Sequence, residues 1–243
     1  MGIGDDDTEV VLLDVEGTTT PVSFVHETLF PFARRGVEAF LTAEGSAHEV
    51  LADLALLREE RRLDIEAGRQ PPEFGPQPVD AVPYVQWLID QDRKSTGLKS
   101  LQGKIWQRGY EQGELKAEVY PDVPLAFQRW RDQGRQICIY SSGSVLAQRL
   151  LFGHSTAGDL TPHLLTCFDT TTGPKREAAS YVAIAEALDR EPGKILFLSD
   201  VTAELDAARE AGFQVALSIR PGHVAPENPA GYPELSDFRQ VLP

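Results

Sequence analysis

The chain has 243 residues, 42% hydrophobic and 25% charged, a composition that supports a buried core without disulfide staples. Its formal net charge of -14 opposes nucleic acid and anionic lipid as partners. A phosphate-bearing substrate would be repelled too, unless the site carries local positive charge.

Residues 2–9 are small and acidic, unlike a basic, then apolar, secretory leader, and no apolar segment is long enough to span a bilayer. The cytoplasm is the expected compartment. Cys138 and Cys167 lie in apolar runs without metal-ligand spacing and read as core residues.

Val10-Val11-Leu12-Leu13 is a short β-branched run ending at Asp14, the pattern of a buried strand. Residues 22–115 then show helical periodicity, about 26–41, 47–67, 82–92 and 98–112, with a Pro-rich stretch at 68–83. Strand-like runs return at 136–140, 164–168, 194–199 and 214–219, alternating with helical patterns at 123–132, 144–152, 176–189 and 203–211. This alternation predicts an α/β fold with a Rossmann-like parallel sheet, formed by residues 1–21 and 116–243. Residues 22–115 read as a helical cap inserted after the first strand. Ligands of such sheets bind beyond the carboxyl ends of the strands, so the insertion is expected to hang over the active site. The tail after Pro221 reads as irregular.

The chemistry-bearing residues follow the apolar runs: Asp14 and Glu16 after the first, Ser141 and Ser142 after the second, Lys175 at a helix start, and Asp200 after the fourth strand. A parallel sheet brings its strand ends to one edge. There the set suits phosphoryl transfer. A carboxylate attacks phosphorus and splits hydrolysis into two easier steps. Anion-on-anion attack needs charge cancellation, since unit charges about 4 Å apart interact by roughly 4 kcal/mol at an effective dielectric near 20. Mg²⁺ between Asp14 and Asp200, with Lys175 on another phosphate oxygen, supplies it. Ser141 and the amides of the following helix start form an anion-binding end. Glu16, two residues along an extended segment, points the same way as Asp14 and serves as acid and base. Each residue alone has an ordinary reading: Asp200 as a helix cap, Lys175 as a solvated lysine, Ser141 to Ser144 as a turn.

Asp14-Val15-Glu16-Gly17-Thr18-Thr19-Thr20-Pro21, Ser141 to Ser144, Lys175 and Asp200 resemble the four motifs of the haloacid dehalogenase-like superfamily. Asp-x-Glu in place of the commoner Asp-x-Asp is similar to the enolase-phosphatases, the acireductone synthases of methionine salvage. The segment Asp92 to Lys99 also resembles that family, whereas Gly173-Pro174 before Lys175 departs from it. The resemblance implies a monomer acting on 2,3-diketo-5-methylthiopentyl 1-phosphate, which is enolised and then dephosphorylated. It implies one Mg²⁺ per chain on Asp14, Asp200 and the Glu16 backbone carbonyl. Asp14 would be the nucleophile and Glu16 the acid/base, with Ser141, Ser142 and Lys175 holding the phosphoryl group. A generic phosphatase without enolisation is the alternative. Arg93, Lys94 and Lys99 either reach the substrate or form a solvated basic face. Phe24, Phe30, Trp87 and Trp106 read as packing, and His154 and His223 have no partner spacing for a metal.

Overall fold

A computed structural model describes residues 3–93, 95–222 and 231–243. Lys94 and His223 lie outside the described residues. The chain divides into two compact units, 1–24 with 116–243, and 25–115.

The first unit is built on β1 (Val10–Leu13), β2 (Gln136–Tyr140), β3 (Leu164–Phe168), β4 (Ile195–Ser199), β5 (Gln214–Ser218) and β6 (Glu234–Leu235). All pairs are parallel, in the order β3-β2-β1-β4-β5-β6. Between them run α5 (Val123–Asp132), α6 (Val145–Gly153), α7 (Ala178–Leu188) and α8 (Thr202–Glu210); α1 to α4 belong to the second unit. Period-two alternation explains the near-continuous apolar strands. Val10, Leu12, Cys138, Tyr140, Ile195 and Phe197 form one core with Tyr181 and Ile184 of α7 and Leu205 and Ala208 of α8. The alternate side chains Val11, Leu13, Ile137, Ile139 and Leu198 are equally inaccessible, so the opposite face is covered as well.

The tail departs from its irregular reading. Two residues of β6 pair with β5, and the turn Phe238–Gln240 buries Phe238 against Trp130, ring centroids 5.4 Å apart. A two-residue strand is too short to show periodicity. What fixes it is burial of Phe238, Val241 and Leu242.

The second unit is helical. A π-helical turn, Phe24–Leu29, leads into α1 (Phe30–Glu44), followed by α2 (His48–Glu66), α3 (Val82–Asp90) and α4 (Thr96–Glu111). α4 packs closely on α2 at Gly97, where a Cβ would come within 2.9 Å of Leu57 Cγ and 3.1 Å of the Asp53 carbonyl oxygen. α4 starts on Ser95, whose hydroxyl accepts from the Leu98 N–H at 2.9 Å and also bonds Glu60. The Pro-rich stretch, lacking a ladder of its own, is held by arginines of α2. Arg58 donates to the carbonyls of Phe74, Gly75 and Pro76, and Arg61 to that of Pro72.

Asp64, 1% exposed on α2, gathers Arg69 (2.6 Å), Arg93 (2.8 Å) and the Tyr84 hydroxyl (3.0 Å). Burial pushes its carboxyl up, but hydrogen bonds from Arg93, Arg69 and Tyr84 outweigh this and hold it below the ordinary range. Arg93 is thus neither a free arm nor part of a solvated face. The aromatic residues pack: Phe24 is buried, Phe30 stacks on Trp106, and Trp87 stacks on Tyr84.

Candidate active site

Register places the site. Val10 to Leu13 pair with Gln136 to Ile139 on one side and Ile195 to Leu198 on the other, so Asp14, Ser141 and Asp200 all leave the sheet at its carboxyl edge. The Asp14 N–H donates to the Leu198 carbonyl at 3.0 Å, which continues the ladder one residue beyond β1. Asp14 Oδ1 accepts from the Val15 N–H (2.7 Å) and pairs with Lys175 Nζ (2.6 Å), and Oδ2 accepts from the Ser199 hydroxyl (3.1 Å).

Lys175 does not open a helix. It sits in the turn before α7, which begins at Ala178, and the Glu177 N–H closes that turn on the Pro174 carbonyl at 3.1 Å. Nor is it solvated: Lys175 is 8% exposed, and its backbone carbonyl accepts from the Tyr181 hydroxyl at 2.7 Å. Its Nζ lies 5.7 Å from the Tyr140 ring centroid and 6.0 Å from that of Phe197. Burial pulls the ammonium down, but the charges of Asp14 and Glu204 outweigh it and raise its pKa, so it stays charged.

Glu204 is the residue that sequence reasoning missed. Its Oε2 lies 2.6 Å from Lys175 Nζ and 3.0 Å from Ser199 Oγ. The signal was faint, because an acid in the first turn of α8 reads as an ordinary dipole partner. Burial first, then the charge of Asp14, pushes the Glu204 carboxyl up.

Asp200 is not the cap of α8; that position is Val201, whose N–H is taken by the Ser199 hydroxyl at 3.1 Å. Burial, then the charge of Asp14, raises the Asp200 pKa to about 7, and Glu16 adds to the rise. Asp14, Asp200 and Glu204 thus face one ammonium group, a local surplus of negative charge in an already acidic chain. No group of three or more His, Cys, Asp or Glu side chains among the described residues forms a metal-holding cluster. Two carboxylates in a site with excess negative charge nevertheless fit a hard divalent cation. Mg²⁺ typically takes one or two carboxylates, keeps several waters and completes its shell with substrate phosphate.

Ser141 is buried and its N–H donates to the Phe168 carbonyl at 3.2 Å; Ser142 is exposed. The amides at the start of α6 are partly engaged within the protein. Val145 N–H donates to Asp169 Oδ2 (3.1 Å), Ala147 N–H to the Ser144 hydroxyl (3.2 Å), and Gly143 N–H to Ser141 Oγ (3.1 Å). Glu16 begins a turn in which Gly17, at φ +68°, occupies the left-handed region and donates its N–H to the Thr20 carbonyl at 2.8 Å.

Residues 8–212 match the haloacid dehalogenase-like hydrolase family model. The chain is 59% identical over 217 residues to enolase-phosphatase E1 of Synechococcus elongatus, covering 89% of this chain and 91% of that protein. It is 51% identical to the namesake from Sorangium cellulosum (87% and 88% covered) and 46% identical to that of Drosophila melanogaster (96% and 92%). Among solved structures, the UTR4 protein of Saccharomyces cerevisiae superposes with a TM-score of 0.78 at 32% identity, covering 96% of this chain and 100% of that one. CbbY of Rhodobacter sphaeroides in complex with phosphate, at 18% identity and TM-score 0.57, shares the fold. The chain therefore belongs to the enolase-phosphatase E1 family of haloacid dehalogenase-like hydrolases.

Proposed function

We propose that the chain is a bifunctional enolase-phosphatase of methionine salvage. It converts the diketone phosphate to its enol and then to the acireductone 1,2-dihydroxy-3-keto-5-methylthiopentene plus phosphate. The observation that carries this reading is the buried Lys175, which bridges Asp14 and Glu204 at the carboxyl edge of the sheet. An ammonium group held charged in that position is suited to a phosphoryl oxygen. The 59% identity to a named enolase-phosphatase supports the enolising half.

In the phosphatase half, an Asp14 carboxylate oxygen attacks phosphorus. The bond from phosphorus to the ester oxygen breaks, and that oxygen takes a proton from Glu16. Water then attacks the aspartyl phosphate and gives its proton to Glu16, which restores both residues. Lys175, Ser141 and Ser142 hold the phosphoryl oxygens. Asp14, Asp200 and the Glu16 carbonyl are the groups that would hold Mg²⁺, and the bound cation would cancel charge between nucleophile and phosphate. Enolisation needs a base and a stabilised oxyanion. Glu16 is the candidate base and Lys175 a candidate stabiliser.

Product analysis tests this. The diketone phosphate is expected to give the ultraviolet-absorbing acireductone together with phosphate, and Asp14→Asn to lower phosphate release by on the order of 10⁴-fold or more, the usual scale for loss of a nucleophile. Phosphate release without the ultraviolet product would mark a simple phosphatase.

A further inference from the structure

The turn that carries Glu16 is held from two strands away. β4 lies between β1 and β5 in the sheet, so the turn after β1 must lean across the end of β4 to be gripped from β5. Ser218 and Arg220, alternate residues at the end of β5, do so. The Ser218 hydroxyl donates to the Gly17 carbonyl at 3.1 Å and Arg220 Nε to the Thr18 carbonyl at 2.8 Å. The Tyr120 N–H takes the next carbonyl, that of Thr19, at 3.0 Å.

Arg220 is built into this position. It is 2% exposed, pairs with Asp122 at 2.6 Å, and lies between the rings of Tyr120 and Phe238, 4.5 and 4.1 Å from their centroids. Asp122 also accepts from the Phe238 N–H at 2.6 Å, which ties the clamp to the C-terminal turn. The Asp14 carboxylate is held from outside this grip, by the Val15 N–H, Ser199 and Lys175, and its N–H by Leu198; only its backbone carbonyl touches the turn, accepting from the Thr19 hydroxyl at 3.2 Å. The nucleophile is anchored by the sheet ladder and its ion pair; the turn beyond it is anchored by the end of β5.

We propose that Arg220, assisted by Ser218, is a positioning residue for Glu16: by gripping the Thr18 and Gly17 carbonyls it fixes the turn, and with it the Glu16 carboxyl, at the leaving oxygen of the ester. The proposal rests on the acid/base role of Glu16 given above. A planar guanidinium with a donor on the turn and another on Asp122 locks an angle that a flexible ammonium does not.

The test uses leaving-group dependence in the full-length Mg²⁺-loaded enzyme. An aryl ester such as p-nitrophenyl phosphate leaves without a proton, whereas a saturated alkyl phosphate such as n-butyl phosphate, which cannot enolise, needs one. kcat/KM is measured for both esters in the wild type, Glu16→Gln, Arg220→Lys and Ser218→Ala, with thermal melts to show folding. Misplacing a catalytic group by about 1 Å costs on the order of 100-fold, so Arg220→Lys is expected to lose about that much on the alkyl ester and no more than about threefold on the aryl ester. Ser218→Ala is expected to show the same skew to a smaller degree; it removes only a hydroxyl and decides the matter if Arg220→Lys does not fold. A loss shared equally by both esters, in the folded variants, makes the clamp merely structural and overturns the proposal. If Glu16→Gln shows the skew and the clamp variants do not, the positioning role alone fails. If Glu16→Gln lacks the skew, the acid role of Glu16 fails and the clamp proposal with it.

Discussion

Lys175 shows how one side chain gains its role from its neighbours. Alone in the sequence it is an ordinary lysine. Buried between Asp14 and Glu204, it is a charge held in place by two acids. Glu204→Gln keeps the shape of the side chain but removes half of that restraint. The expected result is a fall in kcat of about 10- to 100-fold in a folded protein, the scale of a lost orienting contact. Steady-state phosphate release alongside circular dichroism checks it, and unchanged turnover would make Glu204 a bystander. The position of Asp14, Glu16, Ser141 and Asp200 at one sheet edge was legible because each follows an apolar run, and strand ends share an edge. Glu204 was not, because it lies inside a helix, and its relation to Lys175 exists only after α7 and α8 pack on the same face.

At the scale of elements, two contacts are decisive in the helical unit. Gly97 permits α4 to approach α2, and Gly97→Ala drives a methyl group against Leu57 and the Asp53 carbonyl. Overpacking of this kind costs about 1–3 kcal/mol, to be read as a lower denaturation midpoint. The second contact is the Asp64 cluster. Its folded pKa is depressed, so its stabilisation is present above the unfolded value of about 3.9 and is lost as pH falls through the lower folded value. Asp64→Asn leaves two partly exposed arginines short of their carboxylate, and a loss of about 1–3 kcal/mol is expected at neutral pH. The gap between wild type and variant should narrow below about pH 4 in denaturation series, where the wild-type carboxyl also becomes neutral. Helix and strand positions were largely readable from periodicity. The hold of Arg58 and Arg61 on the Pro-rich stretch was not, because long-range donors to backbone carbonyls leave no periodic trace.

For the whole molecule, acidity and phosphate chemistry are in tension. A chain of net charge -14 repels a phosphate ester, and the site itself holds more acids than bases. A divalent cation resolves both at once. EDTA is expected to abolish phosphate release and added Mg²⁺ to restore it. Mg²⁺ at about 100 times its dissociation constant should stabilise the fold by about 2.7 kcal/mol, an effect that Asp200→Asn removes. Calorimetry with and without the ion measures this, and an equal shift in the variant would place the ion elsewhere. Among the described residues no helix is long and apolar enough to cross a membrane.

The amino-acid sequence by itself determined the parallel α/β sheet, the placing of the motif residues at its strand ends and the family whose chemistry the chain shares. Periodicity and adjacency to a strand end are local properties, written in short stretches of chain. Only the tertiary structure decided that Lys175 is buried and shared by two acids, and that the C-terminal tail adds a strand. It alone revealed the grip of Arg220 on the turn after β1. Each of these joins residues far apart in the chain, and such contacts arise from packing of completed elements, which no local pattern encodes.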